Sequence, residues 1–262
     1  MKVRMLLDGG TPKVPPEELE RVIEDAGMKV SEGRADFGVV VGGDGRFSRY
    51  GRTEDIPLLF VGMRVKGAAG SKAQLARIEY GHLPRALKRI GNGDYSIDEY
   101  PRLAVILNGR SVGEVFTDAY LQRGGDSTCI RYRVKVGWPG NAIEEAAIGD
   151  GVVVSTSAGS TGYYSYPDRI RGDYIDPGGF ASIEKDEVGI CHITPTYTER
   201  AGTDLHPLRY TVPWGARISL SLFRKADARI YGTTDKRSGV RVSLGDQIDV
   251  RPGKKKTRVI SL

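Results

Sequence analysis

A single carboxylate surrounded by glycines follows the first strongly apolar segment of the chain. Residues 37–41 form a continuous apolar run, and Gly42, Gly43, Asp44 and Gly45 come directly after it. Such a run is typical of a buried parallel strand, and open α/β sheets bind ligands at the carboxyl ends of their strands. Glycines let the backbone aim N–H groups at a polyanion. The aspartate could orient or deprotonate a hydroxyl, or help to hold Mg²⁺, although a plain turn explains the same residues.

A second candidate segment is longer and rich in small residues: residues 149–163 have the sequence GDGVVVSTSAGSTGY. An acidic turn at Asp150 leads into a β-branched strand and then into a loop. The hydroxyls of Ser160 and Thr161 and the loop N–H groups suit a phosphate or a ribose, and Tyr163 could stack on a base. A polar connection between strands, with the tyrosine in the core, explains the pattern as well. Neither segment is a Walker loop or a GxGxxG fingerprint.

The pair of motifs resembles the NAD kinase family. GGDG follows a strand, and GDGVVVSTSAGSTGY follows about 105 residues later. The resemblance extends over most of the chain. The longer motif separates it from the diacylglycerol and sphingosine kinase relatives, which share GGDG but differ later in the sequence.

The resemblance implies a fold and a reaction. The expected fold is an α/β, Rossmann-like N-terminal domain with a parallel sheet, followed by a β-sandwich-like domain, with the site in the crevice between them. The expected reaction transfers the γ-phosphoryl group of ATP, or of polyphosphate in some members, to the 2′-hydroxyl of the adenosine ribose of NAD. Magnesium would be carried by ATP, near Asp44, with no metal ligand set fixed by side chains. Family members are homo-oligomers, so a homodimer or homotetramer is expected.

The resemblance also implies residue roles. Asp44 would bind or activate the accepting hydroxyl. The phosphates would be lined by Gly42, Gly43, Gly45 and Arg46. The dinucleotide would be held by Thr117, Asp118, Asp150, Ser160, Thr161, Gly162 and Tyr163, with Asp150 reaching it from a neighbouring subunit.

Several positions depart from the family pattern. Arg46 replaces a threonine and could meet a phosphate or simply lie at the surface. Residues 47–55 leave little room for the usual helix. Thr117-Asp118 replaces Asn-Glu, and a hydroxyl donates one hydrogen bond where an amide donates two. Lys236-Arg237 replaces Gly-Gln after Asp235. These changes leave two alternatives open: a kinase of the same fold for another hydroxyl compound, such as a nucleoside or sugar alcohol, and a silent nucleotide-binding protein.

Strands and helices, which must position these motifs, are expected to alternate over the first third of the chain. Residues 2–7, 37–41 and 56–61 are expected to be strands, and a helix is expected to begin near Pro15 and end at Gly27. Residues 71–91 also look helical, with a break at Pro84. The turn at 91–93 suggests a boundary, which predicts domains at residues 1–93, carrying GGDG, and 94–262, carrying the longer motif.

After this boundary, apolar residues recur at every second position. Asn108-Gly109 predicts a hairpin, because both central residues of its turn need positive φ. Residues 102–107, 112–121, 129–136, 152–156, 210–212, 217–223, 228–231, 240–244, 247–250 and 258–262 are expected to be strands of a sandwich-like domain. The basic run that contains Lys254, Lys255, Lys256 and Arg258 is expected to form a solvated hairpin turn.

The composition of the chain limits the classes of partner that the protein is expected to bind. The net charge of +6 suits anionic ligands, but no nucleic-acid motif accompanies it, so no nucleic-acid partner is expected. Two cysteines and three scattered histidines do not form a zinc pattern. No apolar run reaches the roughly 18 residues that span a membrane, and the apolar stretch at the N-terminus is too short for a signal peptide. A cytoplasmic protein without a membrane partner is expected.

Overall fold

A computed structural model describes residues 1–7, 14–63, 73–171, 182–234 and 238–262. The chain divides into two compact units, residues 1–100 with 256–262 and residues 101–255. The elements of the first unit are β1 (Lys2–Leu6), α1 (Pro16–Asp25), β2 (Lys29–Val30), β3 (Phe37–Gly42), α2 (Asp44–Thr53), β4 (Leu58–Gly62), β5 (Ile78–Glu79) and α3 (Leu83–Gly91).

The first unit is built on a parallel sheet in the order β2–β1–β3–β4, with β5 also paired to β4. Alternate side chains of β3 and β4, such as Val39 and Leu59, share a buried cluster with α1 and α3. The intervening Phe60 stacks on Phe47 of α2, with ring centroids 4.7 Å apart. Because successive strand residues point to opposite faces, helices cover both faces of the sheet. This confirms the predicted α/β class.

The helix predicted over residues 71–91 is wrong over most of its length. Residues 71 and 72 lie outside the described residues. The strand β5 and a 3₁₀ turn at Tyr80–His82 come before α3, which begins at Leu83. Pro84 therefore lies in the first turn of the helix and does not break it. Proline is tolerated there because an N–H at that position has no helical partner.

The second unit is composed almost entirely of strands. Two strands, β6 (Ser96–Leu107) and β18 (Gln247–Ser261), contribute residues to both units. The others are β7 (Arg110–Val115), β8 (Asp118–Arg123), β9 (Ile130–Trp138), β10 (Asn141–Gly149), β11 (Gly151–Ser155), β12 (Glu187–Ile193), β13 (Tyr197–Arg200), β14 (Arg209–Pro213), β15 (Arg217–Leu222), β16 (Ala228–Tyr231) and β17 (Val240–Val242), with one short helix, α4 (Tyr166–Arg171).

These strands form two sets of antiparallel neighbours. One set has the order β13–β10–β9–β15–β18, with β6 paired to β18 and β7 to β6, and the other has the order β14–β12–β11–β8–β16–β17. Val134 and Leu220 from the first set and Leu121 and Val154 from the second share one buried cluster. Two layers that bury their inner faces against each other make a sandwich, as the sequence predicts.

The hairpin predicted at Asn108-Gly109 is confirmed. Both residues have positive φ, +50° and +77°, and the turn joins β6 to β7 with Leu107 opposite Arg110. The single strand predicted over 112–121 is two strands, because the chain leaves the sheet at residues 116–117 before β8 begins.

The basic run near the end of the chain is not a hairpin turn, which corrects the sequence prediction. Residues 247–261 are one strand, β18. The Lys254 N–H donates to the Glu114 carboxylate at 2.9 Å, and the Lys256 ammonium meets the Glu99 carboxylate at 2.6 Å. Carboxylates on neighbouring elements therefore support the run in an extended conformation.

A buried polar network joins the two sheets of the second unit. The fully buried Glu145 carboxylate accepts hydrogen bonds from the Tyr210 hydroxyl at 2.6 Å and the Arg200 Nε at 2.9 Å, and it contacts His192 Nε2 at 3.2 Å. His192 Nδ1 lies 2.8 Å from the Tyr132 hydroxyl. Burial pushes the pKa of Glu145 up, but hydrogen bonds from His192, Tyr210 and Arg200 outweigh it and leave the pKa below its usual value.

Removing this carboxylate should therefore be costly. Glu145→Ala leaves the buried His192 and the partly buried Arg200 without their carboxylate partner, and we expect a loss of about 3–5 kcal/mol of unfolding free energy. Urea unfolding measures it. The control is Glu144→Ala, which removes a half-exposed carboxylate paired with Arg133 and Lys135 and should cost about 1 kcal/mol or less. Equal losses in the two variants would contradict the structural role of the network.

Candidate functional site

The GGDG motif lies where β3 passes into α2. Gly42 ends the strand with φ of +158°, and a Cβ there would lie 2.6 Å from the Arg46 Cδ. Asp44 is the first residue of α2. The expectation that residues 47–55 leave little room for a helix is wrong, because the ten-residue helix starts inside the motif itself. The glycine turn thus coincides with a helix N-terminus, where backbone N–H groups lack helical partners and the dipole favours negative charge.

Backbone contacts position the Asp44 carboxylate. Its Oδ1 accepts a hydrogen bond from the Leu75 N–H at 2.9 Å. The residue is only partly buried, and an acidic side chain in the first turn is favoured by the helix dipole. The carboxylate is therefore held in one direction by a segment 31 residues further along the chain.

Arg46 lies back over the motif. Its Nη1 donates to the Val41 carbonyl at 3.0 Å, and its aliphatic carbons pack beside Gly42. The guanidinium is half-buried and places a cation beside the glycine turn.

In the second unit, the small-residue loop packs against the start of β8. The Thr156 N–H donates to the Thr117 carbonyl at 2.8 Å, and a Cβ on Gly159 would lie 2.5 Å from that carbonyl oxygen. A Cβ on Gly162 would lie 3.4 Å from Asp118 Oδ2. The structure therefore brings the Thr117-Asp118 step and the GSTGY loop together, because glycines permit the close approach.

The Ser160 hydroxyl holds this loop together. It donates to the Ser157 carbonyl at 2.7 Å and accepts from the Ile183 N–H at 3.1 Å. The Thr161 carbonyl accepts a hydrogen bond from the Arg169 guanidinium. These contacts stabilise the two short 3₁₀ turns at Ser157–Gly159 and Tyr163–Ser165.

Tyr163 extends along β8. Its ring packs edge-on against Tyr120, with centroids 5.3 Å apart, and its hydroxyl oxygen accepts a hydrogen bond from the Gln122 amide at 3.3 Å. Neither Tyr120 nor Gln122 was singled out from the sequence. The available signal was their alternate spacing on the strand that follows Thr117-Asp118.

Asp150 lies at the opposite end of the β8–β11 pair from Asp118. Ser155 pairs with Asp118, whereas Gly151 pairs with Gln122, a separation of about 13 Å along a five-residue strand. The Asp150 carboxylate forms an ion pair with Arg123 Nε at 2.6 Å. The structure therefore does not bring the two aspartates together, and it adds an arginine that the sequence analysis missed.

The described residues contain no group of three or more His, Cys, Asp or Glu side chains arranged to hold a metal ion. Within the same ranges, no helix is long and apolar enough to cross a membrane.

Two features define the structural class of this protein. One is an α/β unit with a glycine turn after a parallel strand. The other is an antiparallel β-sandwich that carries a small-residue loop. No family model matches the chain. The curated relatives are NAD kinases. That of Picrophilus torridus is 29% identical over 147 residues, 56% of this chain and 51% of that protein.

Two further relatives show the same similarity. The NAD kinase of Thermococcus gammatolerans is 31% identical over 166 residues, 62% of this chain and 55% of that protein. The NAD kinase of Natranaerobius thermophilus is 27% identical over 235 residues, with shares of 87% and 73%. The chain thus spans about half the length of the two archaeal relatives.

Solved structures share the fold. Yeast NADH kinase complexed with NADH has a TM-score of 0.71 at 14% identity, over 100% of this chain and 83% of that chain. An NAD kinase from Archaeoglobus fulgidus in complex with ATP has a TM-score of 0.63 at 17% identity, over 99% and 92%. The chain is related to the NAD kinases and has their fold, which confirms the resemblance that the two motifs indicate.

Asp118 should make stability depend on pH. Burial raises the pKa of Asp118 to about 6, against a smaller opposing effect of the Thr117 hydrogen bond. The folded state then binds more protons than the unfolded state between about pH 4 and 6, so stability falls as pH rises through this window. Asp118→Asn should be more stable than the wild type by about 2–3 kcal/mol at pH 8, with little difference at pH 4.

Urea unfolding of both proteins between pH 4 and 8 measures this difference. The control is Asp126→Asn at an exposed position, for which we expect no such trend. A difference for Asp118→Asn that does not change with pH would contradict the raised pKa.

Proposed function

We propose that the chain is an NAD kinase, which transfers the γ-phosphoryl group of ATP to the 2′-hydroxyl of the adenosine ribose of NAD. The observation that carries this proposal is the Asp44 carboxylate, held at the junction of β3 and the N-terminus of α2 in a chain whose curated relatives are named NAD kinases. Because those relatives are matched over part of their length, activity and substrate require a direct test.

Catalysis of phosphoryl transfer depends on positioning the reactants and neutralising their charge more than on covalent chemistry by the protein. An aspartate carboxylate is in general a weak base towards an alcohol. Asp44 therefore acts by accepting a hydrogen bond from the attacking hydroxyl and by its proximity to the Mg²⁺ that ATP carries. The hydrogen bond from the Leu75 N–H fixes the direction of this carboxylate.

The phosphates are held by the surrounding turn. Gly42, Gly43 and Gly45 let the backbone approach them, and the α2 N-terminus favours their charge. Arg46 adds a cation that is already oriented by the Val41 carbonyl.

The acceptor dinucleotide is held by the second unit. Thr117, Asp118, Gly162 and Tyr163 lie together and suit the adenosine part. Ser160 and Thr161 also contact the adenosine part, through polar groups other than those that bond within the loop. Asp150, which forms an ion pair with Arg123, contacts the nicotinamide part. The enzyme is proposed to be cytoplasmic and to assemble as a homodimer or homotetramer, which sedimentation analysis tests.

A second candidate is a kinase of the same fold for another hydroxyl acceptor. It is favoured by Thr117-Asp118 in place of Asn-Glu. It is also favoured by the burial that raises the pKa of Asp118 to about 6, since a carboxyl group that protonates more readily can donate a hydrogen bond as well as accept one.

One assay separates the candidates. The purified protein is incubated with Mg²⁺, with ATP or polyphosphate as donor, and with NAD, NADH, nucleosides or sugar alcohols as acceptor. NADP formation, followed with a coupled dehydrogenase and abolished by EDTA, supports the first proposal. Donor consumption with another acceptor alone supports the second. Nucleotide binding without turnover under any condition contradicts both.

Asp44→Asn should lower kcat by about 10²-fold or more and leave the melting temperature near that of the wild type. The asparagine carbonyl oxygen can still accept the Leu75 N–H, so the variant removes charge while it keeps the local contact. Asp94→Asn, at an exposed aspartate paired with Arg89 in the same unit, is the control and should retain full activity. A near-normal rate for Asp44→Asn would refute the role.

A further inference from the structure

Two neighbouring side chains of β8 converge on Tyr163. Residues 120 and 122 lie on the same face of the strand because side chains alternate along it. The Tyr120 ring meets the Tyr163 ring at an interplanar angle of 77° with centroids 5.3 Å apart, an edge-to-face geometry that aromatic pairs favour. The Gln122 amide donates to the Tyr163 hydroxyl oxygen at 3.3 Å. The ring is thus held at its side and at its tip.

Tyr120 is itself supported from the next strand. Tyr231 of β16 pairs directly with Tyr120 in the antiparallel register, and the two rings stack at 5.2 Å with an angle of 15°. Cross-strand aromatic pairs of this kind stabilise a sheet locally. Tyr231, Tyr120 and Tyr163 therefore form a continuous row of rings, which we call the tyrosine row.

The hydrogen bond from Gln122 determines what the Tyr163 hydroxyl can do. Because its oxygen accepts from the amide, its own hydrogen can be donated to an acceptor atom of a ligand. Burial, with the nearby Asp150 charge, raises the pKa of Tyr163, so the phenol stays neutral and remains a donor at physiological pH. Tyr163 is thus a half-buried aromatic ring with an oriented donor at its tip.

We propose that Tyr120 and Gln122 are positioning residues for an adenosine-containing nucleotide, because they hold the Tyr163 ring and direct its hydroxyl. This inference rests on the proposed function, in which Tyr163 contacts the adenosine part of the acceptor. Tyr120 supplies the packing surface and Gln122 sets the direction of the donor, so the two should affect recognition of NAD more than the transfer step or the binding of ATP at the other motif.

Steady-state kinetics test the packing role. We expect Tyr120→Leu to raise KM for NAD about tenfold, with kcat within about threefold of the wild type and KM for ATP unchanged. Tyr120→Phe keeps the ring and should restore the wild-type KM. The control is Tyr197→Leu, a half-exposed tyrosine of β13 that packs edge-on against His206 and should change neither constant.

Two outcomes would overturn this role. One is a Tyr120→Leu variant whose KM for NAD stays within about twofold of the wild type. The other is an equal loss for both substrates together with a lower melting temperature, which would show a general loss of folding. The melting temperature is therefore measured for each variant.

The contact geometry can be tested without any substrate. In protein labelled with ¹³C at tyrosine Cζ, Tyr163→Phe identifies the Tyr163 signal. Gln122→Leu should shift that signal and raise the pKa of Tyr163, because a donor to the phenol oxygen favours its ionised form. Tyr120→Leu should shift the signal as well, whereas Tyr197→Leu should not. An unchanged Tyr163 signal in both β8 variants would overturn the inference, whatever the catalytic activity.

The two tests separate failure of this inference from failure of the proposed function. A wild type that makes no NADP contradicts the proposed function, and calorimetric binding of NAD then decides the inference. Weaker NAD binding by Tyr120→Leu than by the wild type supports it. Equal binding, or no binding by the wild type, overturns it.

Discussion

The antiparallel register between β8 and β11 is the constraint on which the candidate site of the second unit depends. It places Asp118 beside Ser155 and Gln122 beside Gly151. A shift by one residue would turn Tyr120 and Gln122 into the core and expose their apolar neighbours. Gly151 helps to prevent such a shift, because a Cβ at this point of the sheet would lie 2.0 Å from the Leu121 carbonyl oxygen. A shift would bring a residue that has a Cβ to this point.

The glycine turn of the first unit positions its carboxylate by a different means. Here a strand stops, a helix begins at Asp44, and one distant backbone N–H holds the carboxylate. The half-buried Arg46 lies beside the glycine turn, where its Nη1 donates to the Val41 carbonyl. A polyanion that approached this turn would therefore meet N–H groups, a helix N-terminus and a cation.

Two carboxylates of the second unit, the buried Glu145 and the partly buried Asp118, show how the surroundings of an acid decide its pKa. Glu145 receives hydrogen bonds from Tyr210 and Arg200 and contacts His192, so its pKa falls despite burial. Asp118 has the Thr117 hydrogen bond as its opposing contribution, so burial prevails and its pKa rises to about 6. The first joins two sheets as a structural anion. The second lies in the candidate site, where perturbed titration often marks functional groups.

The sequence by itself determined the features that depend on neighbouring residues. The apolar run before Asp44 predicted β3, and Asn108-Gly109 predicted a hairpin because the backbone of those two residues has few alternatives. Only the tertiary structure decided what depends on distant pairing. It placed Leu75 against Asp44, Gln122 against Tyr163 and Arg123 against Asp150. It also decided that β10 is a strand with Glu145 buried. A buried glutamate needs hydrogen-bond partners, and here they come from other strands, so the local sequence pattern does not reveal them.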